Sequence, residues 1–113
     1  MIAFVMSGGG NRGALQAGAL LELFERGIKP DILVGTSAGA INAGLLALDP
    51  TLEGAKKVAE MWETAKQEDF FPGNWADMGL RLVRGQSLFS SEPLRKFALK
   101  LVPQDKRTFG SVQ

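Results

Sequence analysis

Apolar residues first fall in a short unbroken run, Ile2-Ala3-Phe4-Val5-Met6, closed by Ser7 and three glycines. A run of this length without alternation predicts a strand buried in a parallel sheet. The spacing then lengthens to a helical period over residues 14–26, with Leu15, Ala19, Leu23 and Phe24 along one face and Gly18 beside Ala19. Glu22, Glu25 and Arg26 fall outside that face. Gly27 is placed to cap the helix and Pro30 to prevent its continuation. Residues 31–34 give a second apolar run. Strand, loop, helix and strand within about thirty residues make a βαβ unit, whose strands are parallel and joined by a right-handed crossover.

Residues 38–48 are alanine, glycine and aliphatics, with Asn42 the one polar side chain. A helix apolar on nearly all sides is built for burial. Asp49-Pro50 ends it. Thr51 is a suitable N-cap for a helix over 52–66, where Leu52, Ala55, Val58, Ala59, Trp62 and Ala65 recur at helical spacing. Glu53 and Lys57 are spaced for an i,i+4 pair on its wet face. The pattern is irregular over 68–90, with an aromatic turn at Phe70-Phe71-Pro72-Gly73-Asn74-Trp75 and a short helix at 77–84 carrying Arg81 and Arg84 outward. The turn is expected to pack; its sharper reading is a lipid-facing lid, which implies transient contact with a membrane surface. Ser90 or Ser91 caps a further helix with Glu92 and Pro93 in its first turn, Leu94, Phe97, Ala98 and Leu101 on its core face, and Pro103 beyond it. Residues 108–113 read as the start of a third strand.

Composition narrows the chemistry. At 113 residues the chain is one small domain. A net charge of +1 gives no electrostatic case for nucleic acid. There is no cysteine, which removes thiolate catalysis and thiolate metal sites. There is no histidine either, so neither a Ser-His-Asp triad nor the common zinc ligand sets can be assembled. No metal or organic cofactor is implied. No signal peptide or membrane span is visible in the sequence, so a cytoplasmic location is expected.

Chemistry concentrates at Gly35-Thr36-Ser37-Ala38-Gly39. This G-x-S-x-G lies between a predicted strand and a predicted helix, the setting of a nucleophile elbow, with Ser37 at the apex and Gly35 and Gly39 relieving crowding. An oxyanion hole needs backbone N–H donors. The loop Ser7-Gly8-Gly9-Gly10-Asn11-Arg12-Gly13 leaves the neighbouring strand at the same edge of the sheet. Its amides, with that of Ala38, are the candidate donors, and Arg12 braces the loop or adds positive potential. The same loop also reads G-x-G-x-x-G through Gly8, Gly10 and Gly13, a dinucleotide fingerprint. That reading expects an acid at the carboxyl end of the second strand, where Gly35-Thr36-Ser37 stands; Asp31 is at the other end. A non-catalytic interaction domain keeping the turn without the chemistry is a third reading.

The pair Gly8-Gly9-Gly10-Asn11-Arg12-Gly13 and Gly35-Thr36-Ser37-Ala38-Gly39 resembles the patatin-like phospholipases, and Leu88-Phe89-Ser90-Ser91-Glu92-Pro93-Leu94 resembles a later segment of them. The resemblance implies a three-layer α/β fold with a mainly parallel sheet, present here as an N-terminal portion of one domain over 1–113. It implies hydrolysis of a lipid or other acyl ester by a Ser–Asp dyad. The family's aspartate precedes glycine, and none of Asp31, Asp49, Asp69, Asp77 and Asp105 does. The dyad aspartate is therefore expected beyond this chain, and the fragment is expected to be weakly active or inactive alone.

Overall fold

The computed structural model describes residues 1–65 and 92–106. The chain divides into two compact units, Met1–Thr64 with Val102–Gln113, and Ala65–Leu101. The expected aromatic turn, the helix over 77–84, the Ser90/Ser91 cap and the third strand lie outside the described residues.

The first unit opens with β1 (Ala3–Met6), a 3-10 turn (Gly10–Arg12), α1 (Gly13–Glu25) and β2 (Ile32–Gly35). It continues through α2 (Ala38–Leu48) and α3 (Leu52–Thr64). The two strands are parallel, with Ala3 opposite Ile32 and Met6 opposite Gly35. The architecture is α/β, and both strands deliver their C-terminal ends, Met6 and Gly35, to one edge. In the second unit the last helix expected from the sequence is present as α4 (Glu92–Leu101). A second 3-10 turn covers Gln104–Lys106. Among the described residues no helix is long and apolar enough to cross a membrane.

Local signals set the boundaries. Gly27 adopts φ +76°, its N–H donates to the Phe24 carbonyl, and the Ile28 N–H reaches back to Leu23 at 2.9 Å. These two bonds satisfy the last carbonyls of α1 in a Schellman cap. A Cβ at Gly27 would meet nothing within 4 Å. Gly27→Ala therefore tests backbone conformation alone and is expected to cost about 1 kcal/mol in a denaturant titration. Thr51 caps α3 as expected, its Oγ1 accepting the Gly54 N–H at 3.3 Å.

The core lies on one side of the sheet. Met6, Ala17, Leu20, Phe24, Leu46, Ala55 and Val58 are buried together, with Phe4, Leu33 and Trp62 packed against them. Phe4 meets Phe24 edge-to-face at 6.4 Å between ring centroids. Three expectations are corrected here. The buried stripe of α1 is Gly13, Ala17, Leu20 and Phe24. Leu15, expected in the core, is 76% exposed, and Ala19 is exposed as well. Apolar residues occupy more than one face of this helix, so periodicity left two stripes available and contact with α2 and α3 selected one. Second, β1 is not buried as its unbroken apolar run predicts: Val5 is 74% exposed, and Ile32 and Val34 on β2 are exposed beside it. A continuous apolar run encodes a strand suited to two covered faces; covering the second takes another layer. Third, Glu53 does not pair with Lys57. Lys56 Nζ bonds Glu53 at 2.8 Å and Lys57 Nζ bonds Asp49 at 3.2 Å, because the α2–α3 turn brings Asp49 within reach.

Candidate active site

The chain leaves β2 at Gly35 and reverses sharply. The Thr36 N–H donates to the Met6 carbonyl at 3.1 Å, extending the sheet contact by one residue, and the Gly39 N–H closes back on the Thr36 carbonyl at 3.0 Å. Ser37, between them, has φ +53° and ψ −121° and is the one non-glycine residue with positive φ among those described. A residue with a Cβ is held there at a cost of about 1–3 kcal/mol, so the surroundings must impose the conformation. They do so through two glycines. A Cβ on Gly35 would run into the backbone of Gly39, and a Cβ on Gly39 into the Met6 carbonyl. With no side chain at either position, the start of α2 lies directly on the strand ends. Ser37 is left exposed at the top of the turn.

Facing it is the loop from Ser7 to Gly13. A Cβ built on Gly8 would stand 3.1 Å from the Ser37 Cβ and 3.8 Å from its hydroxyl oxygen. The serine and the glycine loop are thus brought together on one rim of the sheet. Gly10 takes φ +59° to start the 3-10 turn, and the Arg12 N–H closes that turn on the Gly9 carbonyl at 3.2 Å. The Arg12 side chain lies along Gly9, where a Cβ would be 3.3 Å from the Arg12 Cβ. Gly13 is buried under Trp62 and Ala38; a Cβ there would come within 2.7 Å of the indole Cη2 and 3.0 Å of the Ala38 Cβ. Among the described residues, no acceptor is present for the N–H groups of Gly8, Gly9, Gly10 and Ala38. Gly8 stands against the exposed Ser37, and Ala38 follows Ser37 at the N-terminus of α2, where the helix dipole is positive.

Three residues outside the two glycine motifs, Gln16, Asn42 and Trp62, are joined behind the glycine loop. Asn42 is fully buried, at 0% exposure. Its Oδ1 accepts from Trp62 Nε1 at 2.7 Å, and its Nδ2 donates to the Gly13 carbonyl at 3.0 Å and to Gln16 Oε1 at 3.1 Å. Gln16 Nε2 in turn donates to the Ser7 carbonyl at 2.7 Å. Trp62 was expected as core packing and does pack against the core; its indole N–H also anchors this chain of bonds. The signals in the sequence were an amide alone in an apolar helix and a glutamine one turn after the glycine loop.

Two of the described aspartates, Asp31 and Asp49, stand away from the serine. Asp31 opens β2 at the opposite end of the sheet, where its carboxylate accepts the Ile2 N–H at 2.6 Å. That placement also deprives the dinucleotide reading of an acid at the carboxyl end of β2. Asp49 follows the far end of α2, roughly 16 Å of helix from Ser37, and accepts from Thr51 and Lys57. No cluster of three or more carboxylates fit for a metal occurs among the described residues.

Comparison with known proteins gives the same family from several directions. The family model described as patatin-like phospholipase matches residues 4–111. Lysophospholipase nte1 of Aspergillus terreus is 43% identical over 72 residues, 57% of this chain and 5% of that protein. Patatin-like phospholipase domain-containing protein 7 of Rattus norvegicus is 43% identical over 61 residues, 54% of this chain and 4% of that protein. The uncharacterized protein YjjU of Escherichia coli is 37% identical over 103 residues, 90% of this chain and 26% of that protein. The chain thus spans a small part of the length of these relatives. No solved structure matches.

Proposed function

Because the chain belongs to the patatin-like phospholipase family, we propose that it carries the nucleophile half of a lipid acyl hydrolase. Ser37 is the attacking group. Its oxygen adds to an ester carbonyl while its proton passes to a general base. The carbonyl oxygen, now negative, is received by amides drawn from Gly8, Gly9, Gly10 and Ala38. Collapse expels the alcohol portion of the lipid, which takes the proton back from the base; water, deprotonated by the same base, then releases the acyl group as an acid, and the proton returns to Ser37. The base is an aspartate supplied by sequence beyond these 113 residues. Arg12 holds the loop in shape through its bond to Gly9, and Gly13, Gly35 and Gly39 allow the close packing that brings the two loops together. The substrate is a lipid or another acyl ester, met at a membrane surface by transient contact. The reaction as written calls on no metal or organic cofactor.

One observation supports this reading above the others: an exposed hydroxyl on a positive-φ turn against the glycine loop, whose Gly8, Gly9 and Gly10 amides, like that of Ala38, have no acceptor among the described residues. Each such donor is worth about 3 kcal/mol to an oxyanion in the transition state. The test is covalent labelling. In the full-length protein a fluorophosphonate is expected to modify Ser37, and Ser37→Ala is expected to abolish the label. Absence of labelling together with tight binding of a dinucleotide would replace the hydrolase reading with a nucleotide-binding one.

A further inference from the structure

Three consecutive glycines stand where the oxyanion donors are placed. Glycine has little intrinsic preference among backbone conformations, so nothing in Gly8-Gly9-Gly10 itself aims the amides. A peptide flip at Ser7–Gly8 would be sterically cheap and would turn the Gly8 N–H away from any fixed target. Some outside restraint has to select one orientation.

The hydrogen bonds identify that restraint. The indole N–H of Trp62 is a donor only, so the Asn42 atom facing it must be the oxygen. This turns the Asn42 amide nitrogen toward Gly13 and Gln16. The Gln16 atom meeting an N–H donor must then be its oxygen, which turns the Gln16 nitrogen outward to the Ser7 carbonyl. Each step fixes the polarity of the next. In a trans peptide the C=O and the following N–H point in opposite directions, and no described peptide bond is cis. Holding the Ser7 carbonyl against Gln16 therefore fixes the direction of the Gly8 N–H. The same relay holds the Gly13 carbonyl, so both ends of the glycine loop are tied to α2, the helix that carries Ser37 at its start.

We propose that the Trp62–Asn42–Gln16 relay orients the Ser7–Gly8 peptide and so presents the Gly8 amide to the oxyanion; Gln16 is a positioning residue. This rests on the hydrolase reading given above. Gln16 is half-buried and outside the fully buried core, so its substitution separates orientation from folding.

The experiment compares Gln16→Met and Gln16→Glu with wild type in the full-length protein, using a soluble monomeric ester and fluorophosphonate labelling. Both variants lose the donor to Ser7 at neutral pH. Each is expected to lower kcat and the labelling rate about 10- to 100-fold, with KM changed by less than about twofold, since only transition-state stabilisation is removed. Gln16→Glu carries a further signature. Its carboxylate offers only acceptors, whereas the protonated acid regains an O–H donor for the Ser7 carbonyl. The ratio of Gln16→Glu to wild-type kcat is therefore expected to rise as pH falls toward about 4–5, while the Gln16→Met ratio stays flat. Wild-type kcat and labelling in Gln16→Met would overturn the proposal and leave the hydrolase reading standing. A loss in both variants with neither ratio depending on pH would assign Gln16 to packing and overturn it as well. Failure of the wild-type protein to label at Ser37 would overturn the hydrolase reading and the proposal with it.

Discussion

Gly39→Ala is expected to unfold the protein or bring it close to unfolding. The added methyl would occupy the position of the Met6 carbonyl. That carbonyl cannot withdraw without breaking its bond from the Thr36 N–H, the link that seats the turn on β1. Relief would require α2 to lift off the sheet, taking buried Ala38, Asn42 and Leu46 with it. Overpacking of this kind against fixed backbone belongs at the upper end of single-substitution effects, about 3–5 kcal/mol, a large share of a domain's total stability. Gly44, on the same helix, is the internal control. It is exposed, and a Cβ there would meet nothing within 4 Å. Gly44→Ala should stabilise by about 0.5–1 kcal/mol, the ordinary gain of alanine over glycine in a helix. Thermal unfolding of the two variants side by side gives opposite signs if the turn is packed as described. A Gly39→Ala protein melting at the wild-type temperature would contradict that packing.

Ser37→Gly should destroy activity and yet be better tolerated by the fold than Ser37→Ala. Under the proposed mechanism, loss of the hydroxyl removes the attacking atom, and kcat is expected to fall by a factor on the order of 10⁵ in either variant. Stability should separate them. Alanine keeps a Cβ at φ +53°, whereas glycine occupies that region freely. Relief of about 1–3 kcal/mol of backbone strain exceeds the extra entropy that glycine gives the unfolded chain, about 0.4–1 kcal/mol. Ser37→Gly should therefore melt above Ser37→Ala, the reverse of the order that holds inside a helix. Ester hydrolysis and thermal melting on both variants check the two halves independently. Equal melting temperatures would mean that the turn stores no strain.

These expectations draw on features of different legibility. The elbow was readable because its requirements are local. A serine between glycines, after an apolar run and before a run of small helix formers, has few conformations that satisfy every residue at once. The same holds for the Gly27 cap and the Thr51 N-cap, where the sign of one φ angle or the reach of one hydroxyl decides the matter within four residues. Leu15 was misplaced for the opposite reason. Its helix offers apolar side chains on more than one face, and the choice between them is made by α3, some forty residues later in the chain. Lys57 shows the same limit on the surface: spacing on its own helix pointed to Glu53, while the turn before the helix delivered Asp49.

Over residues 1–65 the sequence alone determined the order of strands and helices, and it also determined the family and the two glycine motifs, because backbone permissiveness, capping and chain reversal are properties of short windows. Tertiary structure alone decided which face of α1 is buried, and that Trp62, Asn42 and Gln16 form one line of hydrogen bonds ending on Ser7. The physical reason is that these hydrogen bonds and buried faces join residues well separated in the chain, nine positions for Gln16 and Ser7 and twenty or more for Trp62, Asn42 and Gln16. Each partner is chosen by how the layers close on one another, and no local preference of either residue encodes that choice.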